Sequence, residues 1–191
     1  MPRRSRTSPR AIYQLKVTLE YLKPPVWRRL LVPSDIPLHK LHAALQEAMG
    51  WTDSHLHQFS LRDRRIGDIS LDDMAGEEAL EDERKARLQE LVGPGQSLRY
   101  EYDFGDGWLH TVRVEKELKP DPRYTYPLCI DGARACPPED CGGPMGYENL
   151  LAALKDPKHP DHAHLVTWIG GPFDPEGFDL NHVNAALATL R

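Results

Sequence analysis

The sequence predicts a single α+β domain with a mainly antiparallel sheet and helices packed against it. Apolar and polar residues alternate over residues 12–22 and again over residues 98–104, as they do in half-buried strands. The turn-forming residues 105–107 then lead into a third apolar-alternating segment at residues 108–118, which predicts a β-hairpin. The predicted order, ββαββ followed by two helices, does not alternate strictly. It therefore disfavours a doubly wound parallel sheet.

The remaining elements of the first half follow from shorter patterns. Residues 26–32 predict the second strand, and helical spacing of apolar residues predicts a helix from Pro37 to Gly50. Residues 55–61 predict another strand. Residues 72–90 are rich in acidic and basic side chains, so we interpret them as a solvated excursion with short helical pieces and not as a site.

The second half begins with a long loop rich in proline, cysteine and glycine, spanning residues 119–144. Two helices are predicted after it, at residues 146–154 and 175–190. Asp174 is the expected N-cap of the last helix, because Pro175 suits a first helical turn.

Length and charge limit the classes of function. A chain of 191 residues fits one domain, at residues 11–191, preceded by a basic tail at residues 1–10 that we expect to be disordered. The formal net charge is −5, and the four arginines of the tail leave −9 on the rest. An acidic body disfavours specific nucleic-acid binding. The sequence contains no apolar run of about 18 residues, the length that would predict a membrane span, and its N-terminus lacks a secretory signal. We therefore expect a cytoplasmic protein.

Four carboxylates are candidate catalytic residues. Asp103 and Asp106 flank the hairpin turn, where they can accept hydrogen bonds from backbone amides while Gly105 and Gly107 supply positive φ angles. The tripeptide Asp-Phe-Gly also occurs in the metal loop of protein kinases. The chain lacks the accompanying glycine-rich loop and His-Arg-Asp motif, which excludes a kinase.

The other two carboxylates, Glu139 and Asp140, lie just before the predicted helix that starts near Pro144. A carboxylate at that position is favoured by the exposed amides and the dipole of the helix, so we predict that Asp140 caps it. A catalytic role for either residue remains the alternative.

Three histidines are candidate metal ligands. His55 and His57 lie two residues apart on a predicted strand, so their side chains are expected to point the same way and present two nitrogens together. His110 lies on the same face of its strand as Trp108 and Val112. It is either a hydrogen-bonded core residue or a third ligand.

The three cysteines, Cys129, Cys136 and Cys141, fall within thirteen residues. An odd count without a secretory signal disfavours a disulfide framework. Their spacing does not match paired Cys-x-x-Cys motifs, yet thiols held by proline and glycine turns can converge on one zinc ion, with His57 or His110 as the fourth ligand. The alternative is that they are small buried hydrophobic residues.

Five segments together carry a family resemblance. They are PPVWRRLLVP at 24–33, LHAALQEAMGW with HLHQF at 41–59, YEYDFGDGWLH at 100–110, ACPPEDCGGPMGYENL at 135–150 and FDLNHVN at 178–184. With these segments the chain resembles the plasmid pRiA4b ORF-3-like family from Tyr13 to Leu190, which implies a single-domain α+β fold. Such proteins occur on plasmids and beside transposable elements, and some carry a resolvase-like label. The acidic body, and the lack of a nucleophilic serine in an arginine-rich recombinase pattern, do not support recombination here.

Three functions remain open at this point. The first is an accessory or binding module of a mobile-element type, with a structural zinc site and a protein or small-molecule partner. The second is a metal-dependent hydrolase or nuclease that uses manganese or magnesium, with Glu139 or Asp140 as general base. Its ligands would be His55, His57, Asp103, Asp106 and His110. The third is a metal-free protein-interaction domain.

Overall fold

The computed structural model describes residues 11–71 and 80–190. Within these ranges the chain forms one eight-stranded sheet and five α-helices. The strands are β1 (Ile12–Leu19), β2 (Trp27–Pro33), β3 (His57–Leu61), β4 (Arg64–Gly67), β5 (Glu81–Asp82), β6 (Ser97–Tyr102), β7 (Trp108–Leu118) and β8 (Leu128–Ala133). The helices are α1 (Leu38–Met49), α2 (Leu88–Leu91), α3 (Gly143–Lys155), α4 (His162–Ile169) and α5 (Leu180–Thr189).

The sheet has the strand order β5-β4-β3-β6-β7-β1-β2-β8. Every pair of neighbours is antiparallel except β4 and β5. The prediction of a single α+β domain with a mainly antiparallel sheet is therefore confirmed. The predicted hairpin is also present, since β6 and β7 pair with Tyr100 opposite His110 and Tyr102 opposite Trp108.

The core lies where the helices cover the sheet. Leu15 and Val17 of β1 are fully buried, as are Leu38 and Leu41 of α1, in agreement with their alternating and helical spacing. Helix α5 packs against both α1 and β8, at the edge of the sheet. Among the described residues, no helix is long and apolar enough to cross a membrane.

The C-terminal helix begins later than predicted. Asp174 is not an N-cap, because its carboxylate accepts the amide of Glu176 and closes a local turn. The actual cap is Asp179, whose Oδ1 accepts the amides of Asn181 at 2.9 Å and His182 at 3.0 Å.

Two further elements lie where the sequence did not indicate them. Strand β8 falls inside the predicted loop of residues 119–144, and helix α4 has no counterpart among the predicted elements. The predicted tail at residues 1–10 and residues 72–79 of the predicted excursion lie outside the described residues. The remainder of the excursion contains β5 and α2, so it is more ordered than its charge pattern suggests.

Candidate functional site

One histidine and three carboxylates from three separate chain segments meet near the β6–β7 turn. Nε2 of His55 lies 3.1 Å from Oδ1 of Asp140, 3.7 Å from Oδ2 of Asp103 and 3.7 Å from Oε2 of Glu139. His55 precedes β3, Asp103 follows β6, and the other two belong to the loop between β8 and α3. We call these four residues the histidine–carboxylate site.

The β6–β7 turn fixes the orientation of Asp103. Its backbone is left-handed, with φ of 57°, and its Oδ1 accepts the amides of Gly105 at 2.9 Å and Asp106 at 3.3 Å. The second oxygen, Oδ2, is thus the one directed to His55. The predicted turn role is confirmed for Asp103, whereas the side chain of Asp106 accepts the amide of Gly142 instead. The positive φ falls on Gly107 and not on Gly105.

The loop after β8 is tied to this turn and to the end of α1. Oδ2 of Asp106 accepts the amide of Gly142 at 3.1 Å. Oε1 of Glu139 accepts the amide of Thr52 at 2.8 Å and the hydroxyl of Tyr102 at 3.0 Å. Burial, together with the neighbouring Glu139, raises the pKa of Tyr102, so the phenol stays protonated and donates to the carboxylate.

Asp140 does not cap the following helix, contrary to the sequence prediction. The N-cap of α3 is Gly142, in a left-handed conformation with φ of 89°, and no side chain accepts from the first turn. Asp140 is itself left-handed, with φ of 56°, and its side chain is 69% exposed. Its carboxylate is therefore free of the helix and lies beside His55.

The nitrogen of His55 lacks a hydrogen bond in spite of its surroundings. Nε2 is shielded from solvent and has no hydrogen-bond partner among the described residues, although three carboxylate oxygens lie within 3.7 Å. The ligand atoms of His55, Asp103 and Asp140 all lie within 4.8 Å of one another. Metal–ligand bonds of about 2.1 Å put neighbouring ligand atoms about 3 to 3.6 Å apart, which is close to the observed separations. These three residues could therefore hold a metal ion.

A second cluster surrounds His42 and His57, whose rings stack face to face with centroids 3.4 Å apart and planes within 5°. Nε2 of His57 lies 2.8 Å from Oε2 of Glu83, and Nε2 of His42 lies 2.8 Å from Oδ1 of Asp53. His42, Asp53 and His57 also bring three potential ligand atoms within 4.8 Å. This cluster is thus the second candidate for a cation.

Hydrogen bonding in this second cluster is already complete around His42. The side-chain amide of Gln46 donates to the hydroxyl oxygen of Tyr100 at 2.9 Å. The hydrogen of the Tyr100 hydroxyl is therefore directed to Nδ1 of His42, 2.8 Å away, which accepts it. The proton of His42 is then on Nε2 and points to Asp53. Burial, followed by the neighbouring His57, lowers the pKa of His42, which keeps this ring neutral.

A metal on Nε2 of His42 would disturb that network. The proton would have to move to Nδ1, and the hydroxyl hydrogen of Tyr100 would then lose its acceptor at a side chain that is 0% exposed. An unpaired buried donor costs about 1–3 kcal/mol. The geometry therefore favours a structural role for the second cluster and a cation at the histidine–carboxylate site.

His110 lies in the interior of the sheet and joins neither cluster. It is fully buried, as Trp108, Val112 and Val114 are, which confirms the predicted apolar face of this strand. Its Nδ1 donates to the carbonyl of Tyr100 at 3.2 Å. Burial lowers the pKa of His110 to about 4, so the ring is neutral at physiological pH.

The three cysteines are free thiols. Cys129 is buried in β8, where its sulfur donates to the carbonyl of Asp131, while Cys136 and Cys141 are half-buried in the loop before α3. Burial raises the pKa of all three and brings that of Cys141 to about 12. Across residues 11–71 and 80–190, neither group of clustered potential ligands contains a sulfur. The zinc site with three cysteines stays a prediction without support from side-chain placement.

Comparison with known proteins identifies the relatives of this fold. The sequence model of the family described as plasmid pRiA4b ORF-3-like protein matches residues 11–182. The chain belongs to this family. The uncharacterized protein y4hQ of Sinorhizobium fredii (strain NBRC 101917 / NGR234) is 38% identical over 182 residues, which are 94% of this chain and 92% of that relative.

A solved relative shares the architecture of this pRiA4b ORF-3-like chain. It is the crystal structure of MM3350, a protein of unknown function from Methanosarcina mazei Go1. The match has a TM-score of 0.84 at 36% identity and covers 92% of this chain and 97% of the other. The family resemblance seen in the sequence is confirmed.

Sequence reasoning on this family member missed several site residues. His55 and His57 were expected to point the same way, but β3 begins only at His57, and each side chain enters a different cluster. His42 lies within the apolar helix pattern of α1, where a histidine gives little signal. Glu83 falls in the acidic excursion interpreted as solvated, yet it is 3% exposed and contacts His57. Sequence distance gave no indication that these residues meet.

Proposed function

We propose that this protein is a metal-supported binding module that holds one divalent transition-metal ion at the histidine–carboxylate site. His55, Asp103 and Asp140 supply the ligands, and Glu139 supports them from the same loop. The observation that carries the proposal is Nε2 of His55, which has no hydrogen bond while three carboxylate oxygens lie 3.1–3.7 Å away.

The donor set indicates which ion is preferred. Carboxylate oxygens suit Mn²⁺ and Mg²⁺, whereas an imidazole nitrogen favours a transition metal over Mg²⁺. One nitrogen with two or three oxygens therefore favours Mn²⁺, with Zn²⁺ as a competitor. Three carboxylates around one point repel one another, and a divalent ion removes that repulsion.

The ion would act as a clamp on the fold. Its ligands come from the segment before β3, the β6–β7 turn and the loop before α3, which are far apart in sequence. Binding energy gained in the folded state adds to the folding free energy. Metal binding would thus order the loop of residues 139–142 against the turn and set the shape of the surface that the module offers to a partner.

Calorimetry with Mn²⁺ on the EDTA-treated chain tests the proposal. We expect one site per chain, and we expect Asp103→Asn to weaken it by more than about tenfold, equivalent to about 1.4 kcal/mol. An asparagine keeps the oxygen that accepts the turn amides and tolerates the left-handed backbone. The matched control is Asp53→Asn in the second cluster, which should bind Mn²⁺ as the wild type does. Equal affinity in Asp103→Asn, or loss of binding in Asp53→Asn, would contradict the proposal.

A metal-dependent hydrolase is the second candidate, and the exposure of the site favours it. Asp140 is 69% exposed, so the side of a bound ion next to Asp140 would face water. A metal with an open position lowers the pKa of bound water and creates a nucleophile. We expect such an enzyme to hydrolyse bis(p-nitrophenyl) phosphate with Mn²⁺ and to lose that activity in Asp103→Asn. Metal binding without hydrolysis would contradict the hydrolase function and remain consistent with the binding module.

A further inference from the structure

A groove of about 340 Å³ lies between the end of α1, β2, the loop after β8 and the start of α5. Trp51, Phe178 and Val183 give it apolar walls, and Arg28 forms part of its lining. None of the four residues of the histidine–carboxylate site lines it.

Within the described chain, Arg28 is a buried cation whose hydrogen bonds all go to neutral carbonyl acceptors. The residue is 3% exposed. Its Nε donates to the carbonyl of Ala48 at 2.9 Å, and its Nη1 donates to the carbonyls of Trp27 at 2.9 Å and Ala133 at 3.0 Å. The ring of Phe178 stacks on the guanidinium, 4.6 Å from its central carbon. Ala48 lies in the last turn of α1, where the helix dipole adds partial negative charge.

No anion of the described chain neutralises this charge. Arg28 forms no ion pair with any carboxylate of residues 11–71 and 80–190. Cys136 lines the same groove, but burial raises the pKa of its thiol, so the sulfur is neutral. A buried guanidinium is normally paired with an anion, because desolvation without a counter-charge costs several kcal/mol.

One nitrogen of Arg28 remains available. The carbonyl contacts use Nε and Nη1 and thereby account for the anchoring of α1 to β2 and β8. Nη2 has no hydrogen bond within the described chain, and it is not among the polar atoms that the protein encloses completely. Since Arg28 lines the groove and its other two nitrogens are used, Nη2 is the nitrogen left to bind a ligand there.

We propose that this groove binds a small monocarboxylate ligand whose carboxylate pairs with Arg28 and whose aromatic or aliphatic body lies between Trp51 and Phe178. An arginine is suited to a planar carboxylate, and small-molecule sites combine apolar walls with a few polar groups that fix the orientation of the ligand.

The other charged groups of the groove favour a ligand with a single negative charge. Glu47 and Asp179 also line it, so a dianion such as phosphate meets two negative charges for one positive charge. Asp179 already accepts two amides of α5, which leaves Glu47 as the carboxylate without a hydrogen bond within the described chain. A single negative charge joined to an apolar body therefore fits better than a phosphate.

The ligand site does not depend on the metal site. The two share the loop that contains Cys136 and Asp140 and the adjacent residues Trp51 and Thr52. A hydrogen bond from Nε1 of Trp51 to the carbonyl of Pro137 at 3.0 Å fixes that loop without a metal. The binding experiment is therefore run in EDTA, so that its failure and the failure of Mn²⁺ binding are separate results.

NMR titration of the tryptophan indole signals in the wild-type chain tests the inference without altering the fold. The probes are benzoate, its uncharged analogue benzamide, and inorganic phosphate. We expect benzoate to shift the Trp51 indole signal saturably, with benzamide and phosphate weaker by at least about tenfold. Equal binding of benzoate and benzamide, stronger binding of phosphate, or no benzoate shift at millimolar concentrations would each overturn the inference.

Two variants locate the bound carboxylate. Arg28→Lys keeps the charge but loses the planar fork, so benzoate affinity should fall by about tenfold or more. Because a substitution at the buried Arg28 can also impair folding, Phe178→Ala on the half-buried wall serves as a second variant and should weaken benzoate binding as well. If the benzoate affinity is unchanged in Phe178→Ala, the ligand binds elsewhere and the proposed binding groove is wrong.

Discussion

The change Asp140→Asn should alter stability in opposite directions with and without metal. Asp140 makes no hydrogen bond to the described chain and is 69% exposed, and asparagine accepts its left-handed backbone. The substitution therefore mainly removes one negative charge. In the metal-free chain it relieves repulsion among the neighbouring carboxylates, and in the metal-bound chain it removes one ligand of the ion.

Both effects can be estimated. The ligand atoms lie within 4.8 Å of one another, and two unit charges at that distance interact by about 0.9 kcal/mol when screening is close to that of water. For a chain of this size, that gain raises Tm by about 2–4 °C in EDTA. Mn²⁺ at a hundred times its Kd stabilises the wild type by about 2.7 kcal/mol, or about 5–11 °C. A variant that binds Mn²⁺ tenfold more weakly loses about 1.4 kcal/mol of this stabilisation, which is more than the roughly 0.9 kcal/mol gained from reduced charge repulsion.

The assay is thermal unfolding at pH 8, in EDTA and in excess Mn²⁺. We expect Asp140→Asn to melt above the wild type in EDTA and below it in Mn²⁺. Asp35→Asn is the matched control, because Asp35 is an exposed aspartate in the turn before α1. It should change neither Tm by more than about 1 °C, as expected for a surface substitution. An unchanged Mn²⁺ response, or a less stable metal-free variant, would refute the reasoning.

Three further predictions concern the rest of the fold. The pKa of His110 is about 4 in the folded chain and about 6.5 in the unfolded chain, so the stability that the neutral ring contributes above about pH 6.5 is lost as the pH falls from about 6.5 to about 4. In urea titrations, His110→Gln should therefore reduce the loss of unfolding free energy between pH 7 and pH 4 by roughly 3 kcal/mol. An unchanged pH dependence would exclude a buried neutral ring. Asp179→Ala should cost about 1 kcal/mol of unfolding free energy, and Asp174→Ala clearly less; a larger cost at Asp174 would contradict the observed cap. Cys136→Ser should leave Mn²⁺ affinity unchanged, whereas release of tightly bound Zn²⁺ would revive the cysteine site.

The sheet was largely predictable because its central strands alternate. The segments that became β1, β6 and β7 each place apolar residues on one face, and a turn rich in glycine and aspartate joins the last two. Strand β8, with the sequence LCIDGA, has no such alternation and lies within a loop rich in proline, so pattern alone could not distinguish it. The start of α5 was misplaced because Asp174 and Pro175 resemble a helix start but form a turn.

The candidate site was predictable in composition but not in grouping. Asp103 was identified from turn chemistry, and His55 and Asp140 from their residue types. Their contact depends on how a loop 85 residues along the chain from His55 returns across the sheet, and no local pattern encodes that. Glu83 shows the same limit, because a charge-rich segment indicates exposure on average while one of its members is buried against His57.

Anomalous diffraction from a crystal of the chain soaked in Mn²⁺ would locate the bound ion. We expect one strong peak bonded to Nε2 of His55, Oδ2 of Asp103 and Oδ1 of Asp140, each at about 2.0–2.3 Å. A peak between His42 and His57, a peak at the cysteines of a Zn²⁺-soaked crystal, or no peak at the histidine–carboxylate site would contradict this expectation.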